Sequence, residues 1–286
     1  MKFRDGIIAI SVPIFLGFGF VIAKPAMQQF PPFLLMGLRF TLAALILIWW
    51  FPIPKGLFKD LIIVSFIGST LQYGLTYSGL NIIDASSAVL LVQAEVPFGV
   101  IIAFFLLKER PGIKNIIGIC IAFIGVFILT GAPSLEGKFI GVLLTLSGAC
   151  TWSLGAVLAK PLSEKMGGFA LTAWLCLFSG PVLILASAIF DGNTMHYLLT
   201  ANLQGWLIVG YLGLIMQPLA YGAWYFVLGR YPVYKVLPVL LLLPLTGLLA
   251  AIFLLGEEPG KYIFIGGTVI LCGIAMILFE KKINEK

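Results

Sequence analysis

Glu95 lies in the run Leu91-Val92-Gln93-Ala94-Glu95-Val96-Pro97-Phe98, with about ten lipid-compatible residues on either side. At about 1.5 Å of rise per residue, a helix over this run places the carboxylate roughly 15 Å from each end, near a bilayer midplane. A charged group at that depth costs at least about 2.5 kcal/mol. Pro97 adds a second cost, because it has no N–H for the carbonyl of Gln93 and so marks a hinge. The chemistry that fits is a carboxylate that holds a proton, or a substrate ammonium, within a transport cycle. The alternative is a carboxyl that fixes helix packing, neutral or paired with Arg39. The other eleven of the twelve acids fall at helix ends or in loops. Arg39 is the one deep base, suited to a substrate carboxylate or, structurally, to tying helices together.

Gln72 and Gln217 also fall near mid-depth, and Gln93 sits two residues before Glu95, about 200° away around the helix. Intramembrane glutamine bonds either a neighbouring helix or a substrate. Tyr73, Tyr77, Trp152, Tyr221, Trp224 and Tyr225 are aromatics away from helix ends, candidates for a pocket wall or for packing. Trp49, Trp50, Trp174 and Trp206 fall near helix ends and read as an interfacial belt. Pro238 and Pro244, with Pro97, are the candidate gate and hinge positions.

The elements that must hold these residues are membrane helices. The chain has 286 residues, 60% hydrophobic and 10% charged, with mean hydropathy +1.09. No soluble core absorbs that much apolar surface. Apolar runs and Gly, Pro and charge breaks mark ten helices, at 6–27, 32–51, 60–80, 85–106, 113–130, 138–159, 168–190, 204–228, 233–255 and 261–280. Lys2 and Arg4 before the first run resemble a signal peptide, but no small-residue cleavage site follows, so this run counts as a span. Fourteen Lys and Arg residues fall on the side of the N-terminus and three (Lys24, Lys138, Lys261) on the other, with Arg39 the eighteenth. That asymmetry predicts both termini in the cytoplasm. The basic residues lie between spans, not on one soluble face, which argues against nucleic acid. The four cysteines stand unpaired in apolar segments and read as small buried hydrophobes. No metal-ligand spacing, paired catalytic carboxylates or phosphate-binding loop occurs, so neither an enzyme nor a cofactor is expected and transport must run on a gradient.

The chain also repeats. Gly19 to Pro25 matches Gly155 to Pro161 at an offset of 136, through Lys24-Pro25 and Lys160-Pro161. Tyr73-Gly74 and Tyr77 match Tyr221-Gly222 and Tyr225 at an offset of 148. At that same offset Glu109-Arg-Pro-Gly matches Glu257-Glu-Pro-Gly, Gly118 matches Gly266, and Gly125 matches Gly273. The glycines predict that the fifth and tenth helices pack tightly, against each other or in a dimer. The halves are 1–131 and 132–286, with five spans each. An odd number inverts the second half, which predicts two repeats about an axis in the membrane plane and one shared midplane site.

Pro31-Pro32-Phe33 through Gly37-Leu38-Arg39-Phe40, Gln93-Ala94-Glu95-Val96-Pro97, Lys108-Glu109-Arg110, Leu228-Gly229-Arg230-Tyr231, Pro244 and Glu257-Glu258 resemble the drug/metabolite transporter superfamily, EamA type, over nearly the whole chain. Within it the likeness is greatest to the O-acetylserine/cysteine exporter branch of bacterial inner membranes, in which glutamine is expected at the position of Glu95. The resemblance implies an all-α polytopic protein of ten transmembrane helices in two inverted five-helix repeats. It further implies export of amino acids or related small amphipathic metabolites across the inner membrane by alternating access. Protons are the expected coupling ion, and the protein is expected as monomer or homodimer in the lipid bilayer. Arg39, Gln72, Tyr73, Tyr77, Gln93, Glu95, Trp152, Gln217, Tyr221, Trp224 and Tyr225 are the substrate-site candidates, with Glu95 the proton carrier. Two other functions stay open: export of cationic or aromatic compounds through cation–π contacts, and lipid or headgroup handling, which requires a lateral opening between helices.

Overall fold

The computed structural model describes residues 3–107, 111–228, 239–240 and 242–278, except the side chains of Leu107, Tyr225 and Leu228. All regular structure among the described residues is helical. α1 covers Phe3–Ala26, and at about 1.5 Å per residue its 24 residues are long enough to cross a bilayer. α2 (Pro32–Leu47) begins with a proline, whose missing N–H is harmless at the first helical position. The Asp191 carboxylate, on the loop after a later helix, accepts the Leu34 amide of that first turn at 3.3 Å. α2 ends in a 3-10 turn, Ile48–Trp50.

Phe58–Ile82 runs as α3 (Phe58–Ser65), a π-helical stretch (Phe66–Leu71) and α4 (Gln72–Ile82). After a short turn come α5 (Ala85–Leu91), a 3-10 turn over Val92–Ala94, and α6 (Glu95–Leu107). The expected break at Pro97 is therefore present: the helix tightens where the proline leaves the Gln93 carbonyl without its usual donor. α7 (Ile113–Thr130) and α8 (Phe139–Met166) follow. α8 is longer than the sequence reading of 138–159, because the chain continues helically through Pro161 and stops at Gly167, whose φ of +80° suits glycine.

α9 covers Gly168–Phe190. The short α10 (Thr194–Thr200) has no counterpart among the predicted helices; Asn193 caps it by accepting the His196 amide at 3.2 Å. Then come α11 (Leu203–Gly210), a second π-helical stretch (Tyr211–Tyr221) and α12 (Gly222–Leu228). α13 (Leu242–Leu255) carries buried Pro244, and α14 (Lys261–Leu278) closes the described chain. Pro238 and the start of the ninth predicted helix lie outside the described residues.

Eight helices among the described residues are long and apolar enough to cross a membrane. Phe58–Ile82 is more polar, with Gln72, Thr76 and Ser78 in its second half, and α13 is shorter.

Long-range packing pairs α7 with α14, α2 with α9, α4 with α8, and α1 with α13. Small residues make the approaches possible. A methyl group on Gly118 would stand 2.7 Å from the Gly273 carbonyl, and one on Gly125 2.8 Å from that of Gly266. The glycines of the fifth and tenth predicted helices thus serve contact within one chain. Lipid-facing positions are apolar, with Phe127 and Phe139 among the exposed aromatics.

Trp49 and Trp50 are exposed, as an interfacial belt requires. Trp174 is not: it is buried, its indole N–H donating to the Pro52 carbonyl at 3.3 Å. Cys176 is buried as expected, whereas Cys120 and Cys272 are exposed on α7 and α14.

Candidate functional site

Arg39 is the largest fully buried side chain, at 0% exposure, and the site is assembled around it. α2 carries it into the middle of the bundle. Its Nε donates to Gln217 Oε1 at 3.0 Å, and its Nη2 donates to the same oxygen. Its Nη1 donates to the Tyr77 hydroxyl at 3.1 Å and lies 3.8 Å from the Met36 sulfur. The guanidinium carbon stands 5.0 Å from the Tyr73 ring centre and 5.7 Å from that of Phe40, within cation–π range. Every one of these partners is neutral. An ion pair, Lys138 with Asp84, lies away from this cluster. Arg39 and Glu95 therefore do not pair, and the structural role considered for both, a mutual salt bridge, is not the one adopted. A guanidinium does not lose its proton in a protein. A full positive charge is thus held out of water by dipoles and ring faces alone.

Beside this cluster lies a small cavity, about 50 Å³, whose lining includes Phe40, Ser69, Tyr73, Trp152, Gln217 and Tyr221; Arg39 itself does not line it but contacts three of the residues that do. Gln217 and Tyr73 are shared between the cavity wall and the Arg39 shell. The Tyr73 and Tyr221 hydroxyls are hydrogen-bonded to each other. These two residues are counterparts at the offset of 148, as are Ser69 and Gln217, so corresponding positions of the two halves meet at one place. Both π-helical stretches contribute to the lining, through Gly68 and Ser69 on one side and Gln217 and Tyr221 on the other. Such stretches are frequent at functional sites.

The remaining candidates divide. Tyr77 sits behind the cavity, stacked on Tyr73 at 5.7 Å and tilted against Phe20. Gln72 is buried outside the lining, its Nε2 donating to Thr76 Oγ1 within the same helix at 3.2 Å. Gln93 is buried in the 3-10 turn and does not reach the cavity. Trp224 packs against Ala9 and Val227 and does not line the cavity.

Glu95 opens α6. Its backbone carbonyl accepts the Ser153 hydroxyl at 2.6 Å, while its carboxylate has no hydrogen-bond or ion-pair partner among the described residues. It does not line the cavity but lies within electrostatic range of Tyr221. The Tyr225 side chain and Pro238 lie outside the described residues.

Sequence reasoning missed Phe40, Ser69, Thr172 and the glycine pair Gly68 and Gly155. The repeat offers a signal for one of them, since Ser69 is the counterpart of Gln217. A larger cavity, about 480 Å³, lies between α7 and α8 on the lipid-facing side, lined by apolar residues with Glu136 and Thr130. It holds none of the candidate residues.

Phe40, Tyr73 and Gln217 thus stand between a buried cation with neutral partners and a cavity walled by helices from both halves. The model of the EamA-like transporter family matches residues 6–131 and again 139–279. The chain belongs to the EamA-like transporter family. It is a multi-pass membrane protein. It is 31% identical to a "Probable amino-acid metabolite efflux pump" of Escherichia coli, over 98% of this chain and 96% of that one. A protein of the same description from Salmonella typhimurium is 32% identical, over 100% and 98%. An uncharacterized transporter of Bacillus subtilis is 29% identical over 93% of this chain and 84% of its own length. A solved structure, titled only as a crystal structure of protein, superposes with a TM-score of 0.69 over 96% of both chains at 20% identity, which shows the EamA chain's fold in another protein.

Proposed function

We propose that this EamA-family protein is a secondary exporter of amino-acid-type metabolites that recognises the substrate carboxylate through Arg39. The observation that carries the reading is the buried guanidinium itself, with neutral partners only. Removing such a charge from water is expensive, and an arriving carboxylate offsets that expense selectively. The mid-bundle position of Arg39 argues against the second reading, export of cations, because a cationic substrate would meet a like charge whose nearest aromatic faces, Tyr73 and Phe40, are already engaged. The descriptions of the Escherichia coli and Salmonella relatives agree in substrate class.

The architecture we propose is ten spans in two inverted repeats, at 1–131 and 132–286, with both termini cytoplasmic in the bacterial inner membrane. Three observations support it: the family model matches twice, π-helical stretches occupy counterpart positions, and Tyr73 meets Tyr221. Alternating access also accounts for the cavity's size. A volume of about 50 Å³ is too small for a metabolite, since ligand sites commonly measure about 300 Å³ or more. Helices must separate for loading, at the breaks that Pro97 and the π-helical stretches provide. Glu95, isolated at the start of α6, is the proton carrier in this scheme and the second anchor, for the substrate ammonium.

Uptake into proteoliposomes over an amino-acid panel, with and without a pH gradient, tests the reading in wild type and in Glu95→Gln. Transport of amino acids driven by the gradient in wild type and insensitive to it in Glu95→Gln is the expected result. A Glu95→Gln protein with unchanged rate and gradient response removes proton coupling through this residue, and a panel in which no amino acid moves removes the substrate class.

A further inference from the structure

At the end of the bundle away from Phe3, the turn between α4 and α5 is gripped by charged side chains from elsewhere in the chain. Lys24, on the last turn of α1, donates its ammonium to the carbonyls of Leu80, at 3.4 Å, and of Ile83. Glu257, just after α13, accepts the amides of Ala85 at 2.8 Å and Ser86 at 2.9 Å. A cation thus covers the last carbonyls of α4 and a carboxylate covers the first amides of α5, each matching the partial charge at that helix end. The neighbouring Lys138–Asp84 pair at 3.5 Å is about one-third exposed on both sides and adds little. Between the same ends, α4 and α8 are in backbone contact: a methyl group on Gly79 would stand 2.8 Å from the Gly141 carbonyl.

The opposite end is built differently. The central cavity extends that way, past Val64 in α3, Ala159 late in α8 and Thr172 early in α9. Lys160, the counterpart of Lys24 at the offset of 136, is exposed and its ammonium has no partner among the described residues. Identical lysines in the two halves are therefore in different states. One is locked onto carbonyls at the closed end, and the other is free at the end toward which the cavity points.

We propose that Lys24 and Glu257 form a latch that holds the pathway shut at the end opposite Phe3, and that its release turns the site toward that end. The proposal rests on the alternating-access reading above. Both side chains act on unpaired backbone groups of helix ends, so the latch can open without breaking a helix.

Two cysteine reporters in the full-length protein in nanodiscs test it, with maleimide labelling resolved by peptide mass spectrometry. Ala159→Cys reports the cavity end, and Met216→Cys, packed against Gly19 as Gly68 is against Gly155, reports the latched side. In Lys24→Gln, Glu257→Gln and the double variant, labelling of the first reporter should fall and of the second rise, each at least about threefold, as a shifted two-state equilibrium requires. Lys24→Arg should restore the wild-type ratio. Unchanged reporters overturn the proposal, and so do reporters that rise together, which signals loosened packing. Reciprocal reporters in a protein that carries no amino acid would uphold the latch and remove the substrate reading instead.

Discussion

Replacing Arg39 by glutamine separates what the guanidinium does for the fold from what it does for a ligand. The substitution removes one buried charge and its hydrogen bonds to Gln217 and Tyr77. Each lost bond costs about 0.5–1.5 kcal/mol, more where the charge assists it. The cost of keeping an unpaired charge out of water vanishes at the same time, so these terms oppose each other. The smaller glutamine amide leaves some space behind Gln217 but can still bond it. Net stability should therefore change by no more than about 2 kcal/mol, and the protein should still fold. Binding has no such compensation. A carboxylate about 4 Å from the guanidinium gains about 4 kcal/mol at an effective dielectric constant of about 20, which corresponds to roughly a thousandfold in affinity. The assay is thermal unfolding in detergent with titrated amino acid, where ligand stabilisation follows the logarithm of concentration over Kd. A folded Arg39→Gln protein whose ligand-induced shift appears at the wild-type concentration would refute the reasoning.

Other outcomes follow from the same contacts. Tyr73→Phe and Tyr221→Phe each remove one side of the hydroxyl bridge, so a double-mutant cycle on unfolding should show coupling of about 1 kcal/mol; additive effects would mean the bridge contributes nothing. Gly125→Leu forces α7 from α14, where even a methyl group would stand 2.8 Å from the Gly266 carbonyl, and should cost about 3 kcal/mol or more, read as lost folded yield or lowered Tm. Asp191 is half-buried outside the membrane-spanning helices, and burial holds its carboxyl above the ordinary range, with hydrogen bonds from Ser187 and the Leu34 and Phe33 amides acting the other way. A raised folded pKa makes its contribution to stability fullest below about pH 4 and lost as pH rises through the folded value; Asp191→Asn should flatten that part of the Tm-against-pH curve.

Much of the helix plan was legible because apolar runs of membrane-spanning length leave few alternatives. The glycine pairs of α7 and α14, the break at Pro97 and the depth of Arg39 were legible for the same reason. The repeat pointed to Tyr73 and Tyr221 before their hydroxyls were seen to meet. Side-chain facing was less accessible. Gln72 and Tyr73 are neighbours about 100° apart on one helix, and only Tyr73 lines the cavity, a difference that depth alone does not reveal. The π-helical stretches depart from 3.6 residues per turn, so a count at that period does not give the facing of Ser69. Gly68 and Gly155 carry no chemical signal at all; their role exists only where two backbones cross. Trp174 looked interfacial because it is near a helix end, yet the Pro52 carbonyl gives its indole a buried partner. Lys24 enters the sequence reading only through the charge count and the repeat, because its carbonyl partners come from residues about sixty positions away.

On the proposed reading, a substrate carboxylate completes the neutral shell of Arg39. Counterflow in wild-type proteoliposomes, comparing each amino acid of a panel with its carboxamide, tests it most directly. The two differ only in the anionic group that Arg39 would hold. Exchange of the amino acids at concentrations at least about a hundredfold lower than their carboxamides is the expected result, a little below the electrostatic bound worked out above. Equal exchange of acid and amide would contradict the claim.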